Sequence, residues 1–80
     1  MDDEKILDRI NALAREEHQL FESEAQGTAT ETDQIRLKRL QVTLDQCWDL
    51  LRQRRAKRAA GQDPNQAEIR DERTVEHYSG

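Results

Sequence analysis

Cysteine and histidine are scarce in this 80-residue sequence, which contains one cysteine and two histidines. One cysteine cannot form an internal disulfide, and these three residues match no usual zinc-ligand spacing. A single core of this size contributes only about 3–5 kcal/mol of stability, and small domains usually add a disulfide, a metal or a second subunit. Since the sequence favours neither of the first two, we expect a homodimer without a cofactor.

Aromatic residues make up only 4% of the sequence, and long apolar runs are absent. No segment approaches the roughly 20 apolar residues of a membrane span. The chain also begins with acidic residues, where a secretory signal would be basic. We therefore expect a cytoplasmic protein that does not act at a membrane.

Motifs of catalysis and cofactor binding are missing as well. The sequence holds no phosphate-binding loop, dinucleotide fingerprint or nucleophile elbow. A chain of this length has little means of forming a deep pocket from two helices. We predict that the protein is not an enzyme and has no small-molecule substrate.

Apolar residues recur in alternating steps of three and four in two segments on either side of Gly27. Such steps keep one narrow face of an α-helix turned toward a partner helix, as in a coiled coil. The sequence therefore predicts an all-α protein. We expect an antiparallel, coiled-coil-like two-helix hairpin that dimerises into a four-helix bundle and carries an extended C-terminal tail. The predicted hairpin and dimer core consists of Ile6, Ile10, Leu13, Leu20, Leu37, Leu40, Leu44, Cys47 and Leu51.

Capping signals predict the ends of both helices. We expect helix 1 over residues 3–26, ended by Gly27, and helix 2 over residues 30–60, ended by Gly61. Two capping boxes compete for the start of helix 2, namely Thr28 with Glu31 and Thr30 with Asp33. The hairpin domain therefore covers residues 1–61.

Residues 62–80 are predicted to form the tail. Asp63 followed by Pro64 is a helix-start signal, which favours a short helix over residues 64–69. Beyond it, Val75 and Tyr78 are the only apolar anchors in a polar run. We expect this part of the tail to be mobile or docked on a partner subunit.

If the two apolar rows face each other in an antiparallel hairpin, the numbers of any two facing residues add up to about 57. Ile6 then faces Leu51, and the acidic residues 2–4 lie beside residues 53–55. The acidic start of the chain is therefore expected to lie against the basic end of helix 2.

Glu17 interrupts the apolar row of helix 1. A carboxylate at this position is expected to fix the register or to pair with Arg36 or Gln41 on helix 2. Carboxylate bundles bind metals through Glu-x-x-His motifs on facing helices, but Arg15 stands three residues before His18. We therefore predict no metal site.

The segment at residues 45–58, DQCWDLLRQRRAKR, resembles a family of small, mostly actinobacterial proteins catalogued as domain of unknown function 2630. The match around CWDLLR at residues 47–52 is specific. Further similarity extends over residues 10–13, 16–18, 37–40 and 61–78, so that the resemblance covers nearly the whole chain. It implies no mechanism, because that family has no established activity.

The basic end of helix 2 is the candidate site for a partner. Five basic residues and no acid fall in residues 51–60, although the net charge of the chain is −4. Trp48 is expected to pack against Leu7 or across a dimer interface, or else to be exposed as a contact for another protein. We predict an unidentified protein partner, with a nucleic-acid-associated accessory role as the alternative. The predicted partner-binding residues are Trp48, Arg52, Arg54, Arg55, Arg58 and Tyr78.

Overall fold

A computed structural model of the chain describes residues 2–71, so the predicted anchors Val75 and Tyr78 lie outside the described residues. Helix α1 spans Asp3–Ala25, helix α2 spans Glu31–Ala59, and a short 3-10 helix spans Pro64–Gln66. The two long helices pack against each other as a hairpin, and residues 2–71 contain no strand. The prediction of an all-α helical hairpin is confirmed.

The loop of the hairpin is built from local capping interactions. Gly27 has a φ of 74°, which lets the Thr28 amide donate back to the Ser23 carbonyl at 2.9 Å and closes α1. Of the two capping boxes, the structure contains the second. The Asp33 amide donates to the Thr30 hydroxyl at 3.1 Å, and the Thr30 amide donates to the Asp33 carboxylate at 3.0 Å. Helix α2 therefore begins one residue after Thr30.

The core lies in the half of the hairpin that is distant from this loop. Ile6 and Leu51 are almost fully buried at its centre, as the predicted register requires. Leu37 and Leu40 are buried closer to the loop, whereas Leu13 and Leu20 are only half-buried. The main cluster consists of Ile6, Ile10, Leu44, Cys47, Leu50 and Leu51.

The tail differs from the prediction. The helix expected over residues 64–69 stops after Pro64–Gln66, and residues 67–71, called the strap from here on, contain no helix. The strap runs along α2 of its own chain, because Gln53 Nε2 donates to the Glu68 carbonyl at 2.7 Å and Gln46 Nε2 donates to the Arg70 carbonyl at 3.2 Å. Arg70 falls in the part of the tail that was expected to be mobile or docked on a partner subunit, and it is held on α2 of its own chain; the rest of that expectation concerns residues outside the described range.

The pairing expected for Glu17 also differs in detail. Arg36 pairs with Glu16, the preceding residue. Glu16 lies a quarter-turn from Glu17 around the helix, on the flank of α1 that faces Arg36 across the hairpin. The acid that pairs with Arg36 is therefore the one on the side of α1 that faces Arg36, not the one in the apolar row.

Candidate functional site

The basic end of α2 divides into arginines that pair with Asp3 and arginines that do not. Arg54 and Arg58 bind Asp3 at the start of α1. Arg52 and Arg55 are exposed and form no ion pair with any residue in the described range 2–71. Lys57 also forms no ion pair in that range but is half-buried, so Arg52 and Arg55 are the fully exposed unpaired cations of this helix end among the described residues.

Arg54 joins three segments of the chain. Its side chain is only 7% exposed, and its Nε donates to Asp3 Oδ1 at 2.6 Å. Its Nη1 donates to the Pro64 carbonyl at 3.2 Å and to Asn65 Oδ1 at 3.0 Å. The guanidinium thus connects the start of α1, the end of α2 and the 3-10 helix. Arg54 was predicted to bind a partner, but the structure places it inside the molecule, so it is left out of the surface considered below.

Asp3 receives hydrogen bonds from both Arg54 and Arg58. The Arg58 and Arg54 guanidinium groups stabilise its charged form, which lowers the pKa of Asp3 to about 2. The same contact raises the pKa of Arg58. The predicted meeting of the acidic start with the basic end is confirmed at Asp3 and Arg54.

A pH dependence of stability follows from the lowered pKa of Asp3. A carboxyl whose pKa is lower in the folded state stabilises the fold above its unfolded pKa, here about 3.8, and this contribution is lost as the pH falls toward about 2. Asp3→Asn removes this charge at every pH. We expect the wild type to melt at a higher temperature than Asp3→Asn at pH 6 and the two melting temperatures to converge at about pH 2.

Calorimetry or thermal circular dichroism at several pH values measures this difference. The exposed Asp8→Asn variant removes the same charge from the same helix and serves as the control. A melting-temperature gap between wild type and Asp3→Asn that stays constant down to pH 2 would contradict the assigned role of Asp3.

Trp48, Arg52 and Arg55 form a continuous exposed face, here called the tryptophan–arginine surface. Spacings of four and seven residues place the three side chains on one side of α2, over a length of about 10 Å. Trp48 is 44% exposed, although one expectation was that it packs against Leu7. A half-exposed indole next to two guanidinium groups that pair with no acid in the described part of the chain is an arrangement suited to binding another macromolecule.

Asp49 is a buried charge that the sequence interpretation missed. Its side chain is 2% exposed, and Oδ2 accepts a hydrogen bond from Gln53 Nε2 at 2.8 Å and pairs with Arg70 Nε at 3.2 Å. Its partners are therefore one residue of α2 and one of the strap. The carboxylate is held by these donors, which gives it a structural role.

Among the described residues, Cys47 and His18 do not converge on a reactive site. Cys47 is a buried member of the core, as predicted. His18 pairs with Glu22 on the exposed side of α1 at 3.2 Å. Across residues 2–71 no three acids, histidines or cysteines come together in a way that could hold a metal ion.

No helix within the described range has the length and apolar character required to span a membrane.

Comparison of the sequence with known proteins identifies one protein family. The model of the family described as "Protein of unknown function (DUF2630)" matches residues 2–80, which confirms the resemblance seen in the sequence. Uncharacterised proteins of Mycobacterium bovis and of two strains of Mycobacterium tuberculosis are each 44% identical to the chain over 79 residues. The alignment covers 98% of this chain and 91% of each relative. No solved structure matches the chain.

Proposed function

The chain belongs to the DUF2630 family, and we propose that it is a non-enzymatic cytoplasmic module that binds a partner protein and forms a homodimer. One observation carries the proposal: Asp3 occupies two arginines of the basic end, while Arg52 and Arg55, beside the half-exposed Trp48, pair with no acid among residues 2–71. The free charge and the free aromatic surface therefore coincide on one face.

The chemistry of this face fits a protein surface that is acidic and partly apolar. Tryptophan and arginine are enriched among the residues that contribute most to protein–protein binding. The Trp48 ring offers apolar area, and a guanidinium fork binds a carboxylate through two parallel hydrogen bonds. We therefore propose a partner with carboxylates next to an apolar patch.

An affinity pull-down from the native cytoplasm tests the partner proposal. We expect Trp48→Ala, and separately Arg52→Glu with Arg55→Glu, to lower the recovery of the main partner by about tenfold or more, which corresponds to about 1.4 kcal/mol. The matched control is Lys5→Glu with Arg15→Glu, which changes the charge equally at exposed positions of α1. Equal recovery of the main partner by the control and by both test variants would refute the proposal that this surface binds it.

Homodimerisation is supported by the apolar surface that a single chain leaves uncovered. Phe21 and Trp48 are each 44% exposed. Phe21 follows Leu7 and Ala14 at heptad spacing, so the three residues lie in one row along α1. A second copy covering this row would complete a four-helix bundle. Sedimentation equilibrium at micromolar concentration tests the proposal, and a monomer at all concentrations would refute it.

Nucleic-acid binding is the second candidate, because the same two arginines are free to contact phosphates. The internal pairing of Arg54 and Arg58 reduces the number of phosphates that this end can neutralise. Binding of generic duplex DNA and single-stranded RNA should be measured by fluorescence anisotropy as salt is raised from low concentration. Affinity that falls steeply with salt would favour this candidate, and absence of binding at low salt would remove it.

A further inference from the structure

The tryptophan–arginine surface of α2 and the row of α1 that begins at Leu7 lie on the same side of the hairpin. Viewed from one end, the two antiparallel helices turn in opposite senses, so the residues that follow two facing residues come to the same side. Ile6 and Leu51 meet in the core, and the residues that follow them are Leu7 and Arg52. The half-buried Leu7 and the half-exposed Trp48 therefore border one surface.

Acidic side chains stand at both ends of this side of α1. Glu4 and Glu22 are eighteen residues apart, which is five full helical turns, so they lie on one line along the helix. Both are exposed, and neither pairs with a lysine or an arginine in the range 2–71. Glu22 contacts His18, its neighbour on the next turn. The side that carries Leu7 therefore presents carboxylates beside an apolar row.

Basic side chains occupy the matching levels of α2. Lys38 and Arg55 each follow a residue that faces α1, and both are exposed. Arg55 lies near the level of Glu4, since their numbers add up to 59, close to the 57 of the hairpin register. Lys38 lies near the level of Glu22 for the same reason, with a sum of 60. In each pair the acid and the base point to the same side of one hairpin, and each can meet its counterpart on another hairpin.

We propose that the partner of the tryptophan–arginine surface is the α1 helix of a second copy of the chain. A two-fold axis parallel to the helices places α1 of each copy against α2 of the other. Leu7 of the second copy then covers Trp48, and its Glu4 lies beside Arg55. The proposal rests on the proposed function and joins its two parts, because the bound partner and the second copy are the same protein.

Charge favours this arrangement over the other symmetric way of stacking two hairpins on this side. A two-fold axis perpendicular to the helices would pack α1 antiparallel against α1 of the second copy, centred near Ala14 when the two helices overlap fully. Glu4 would then lie within one turn of Glu22 of the second copy, and these acids would repel each other. Packing α1 against α2 brings opposite charges together at both ends of the interface instead.

A charge-swap experiment on the full-length chain tests the proposal. We expect Glu4→Arg with Glu22→Arg, and separately Lys38→Glu with Arg55→Glu, to weaken dimerisation by at least about tenfold, since each reversed contact occurs twice in a symmetric dimer. An equimolar mixture of the two variants restores opposite charges at both interfaces. Its heterodimer should therefore form about as tightly as the wild-type dimer. Sedimentation velocity over a series of concentrations measures these affinities, and circular dichroism shows whether each variant is folded.

The charge-matched control is Lys5→Glu with Arg39→Glu, which changes exposed residues on other sides of the two helices and should leave dimerisation unchanged. Two variants that dimerise like the control, or a mixture that stays monomeric, would overturn the proposal. If the pull-down variants at Arg52 and Arg55 still lost another protein, the proposed function would stand without it. A monomeric wild type would overturn both this proposal and the proposed homodimer.

Disulfide trapping gives a second readout that needs no charge reversal. In a Cys47→Ala background, chains carrying Glu4→Cys are mixed with chains carrying Arg55→Cys in a glutathione buffer. We expect the disulfide between the two chains to form at least about tenfold faster than with Lys5→Cys in place of Glu4→Cys, because the interface raises the effective concentration of the thiols. Equal rates for the two mixtures would overturn the proposed arrangement.

Discussion

Replacing Leu51 by Asp is expected to abolish folding at 25 °C. Leu51 is 1% exposed and packs among Ile6, Cys47 and Leu50 at the centre of the core. Burying an unpaired carboxylate there would cost more than the roughly 3–5 kcal/mol that a core of this size contributes. The far-ultraviolet circular dichroism of Leu51→Asp should therefore be that of an unfolded chain.

Two further variants show whether this effect depends on burial. Leu51→Ala should lose less stability than Leu51→Asp, with its free energy of unfolding in urea lowered by about 2–5 kcal/mol, and should keep more of the helical signal. Ile35→Asp introduces the same carboxylate on the same helix, at a position that is 53% exposed, and should keep the wild-type helical signal. A cooperative, wild-type-like unfolding transition for Leu51→Asp would show that the core lies elsewhere.

Replacing Asp49 by Ala is expected to release the strap from α2. The variant removes the acceptor of both Gln53 and Arg70 and leaves a cavity under the strap. Losing a buried, charge-assisted hydrogen-bonding group costs about 1–3 kcal/mol, which is a large part of the stability of so small a domain. Hydrogen exchange of the amides in residues 67–71 should accelerate, while exchange in the centre of α1 should change much less.

Asp49→Asn is the matched control for this prediction. The Asn side chain has nearly the same shape and keeps an oxygen that can accept from Gln53, but it lacks the charge that attracts Arg70. We therefore expect a smaller loss of stability and slower release of the strap than in Asp49→Ala. Faster exchange in Asp49→Asn than in Asp49→Ala would contradict the geometry of this contact.

Internal pairing determines which positive charges are available to a partner. Arg54 and Arg55 are neighbours in the sequence, yet Arg54 is buried against Asp3 and Asn65 while Arg55 is exposed. A helix turns by about 100° per residue, so adjacent arginines face different surroundings. Charge reversal at Arg54 would therefore damage the fold, whereas the same change at Arg55 reports on binding.

The hairpin and its register follow from the sequence because they depend on short-range regularities. The alternating steps of three and four predict the facing of Ile6 and Leu51, and the same register places Asp3 against Arg54. Gly27 predicts the end of α1, since a positive φ is strained for other residues. Membership of the family was also visible from the motif at residues 47–52.

The tertiary structure alone decided what lies on the opposite side of α2. Asp49 falls off the apolar row that faces α1, and its carboxylate pairs with Arg70 of the strap, whose sequence has no periodicity that indicates where it docks. The strap is held by side-chain contacts between residues 15 to 24 positions apart. The helical spacing of residues in the sequence shows only which of them share one side of a helix. Which segment covers that side is decided by long-range packing, and so are the burial of Arg54 and the exposure of Trp48.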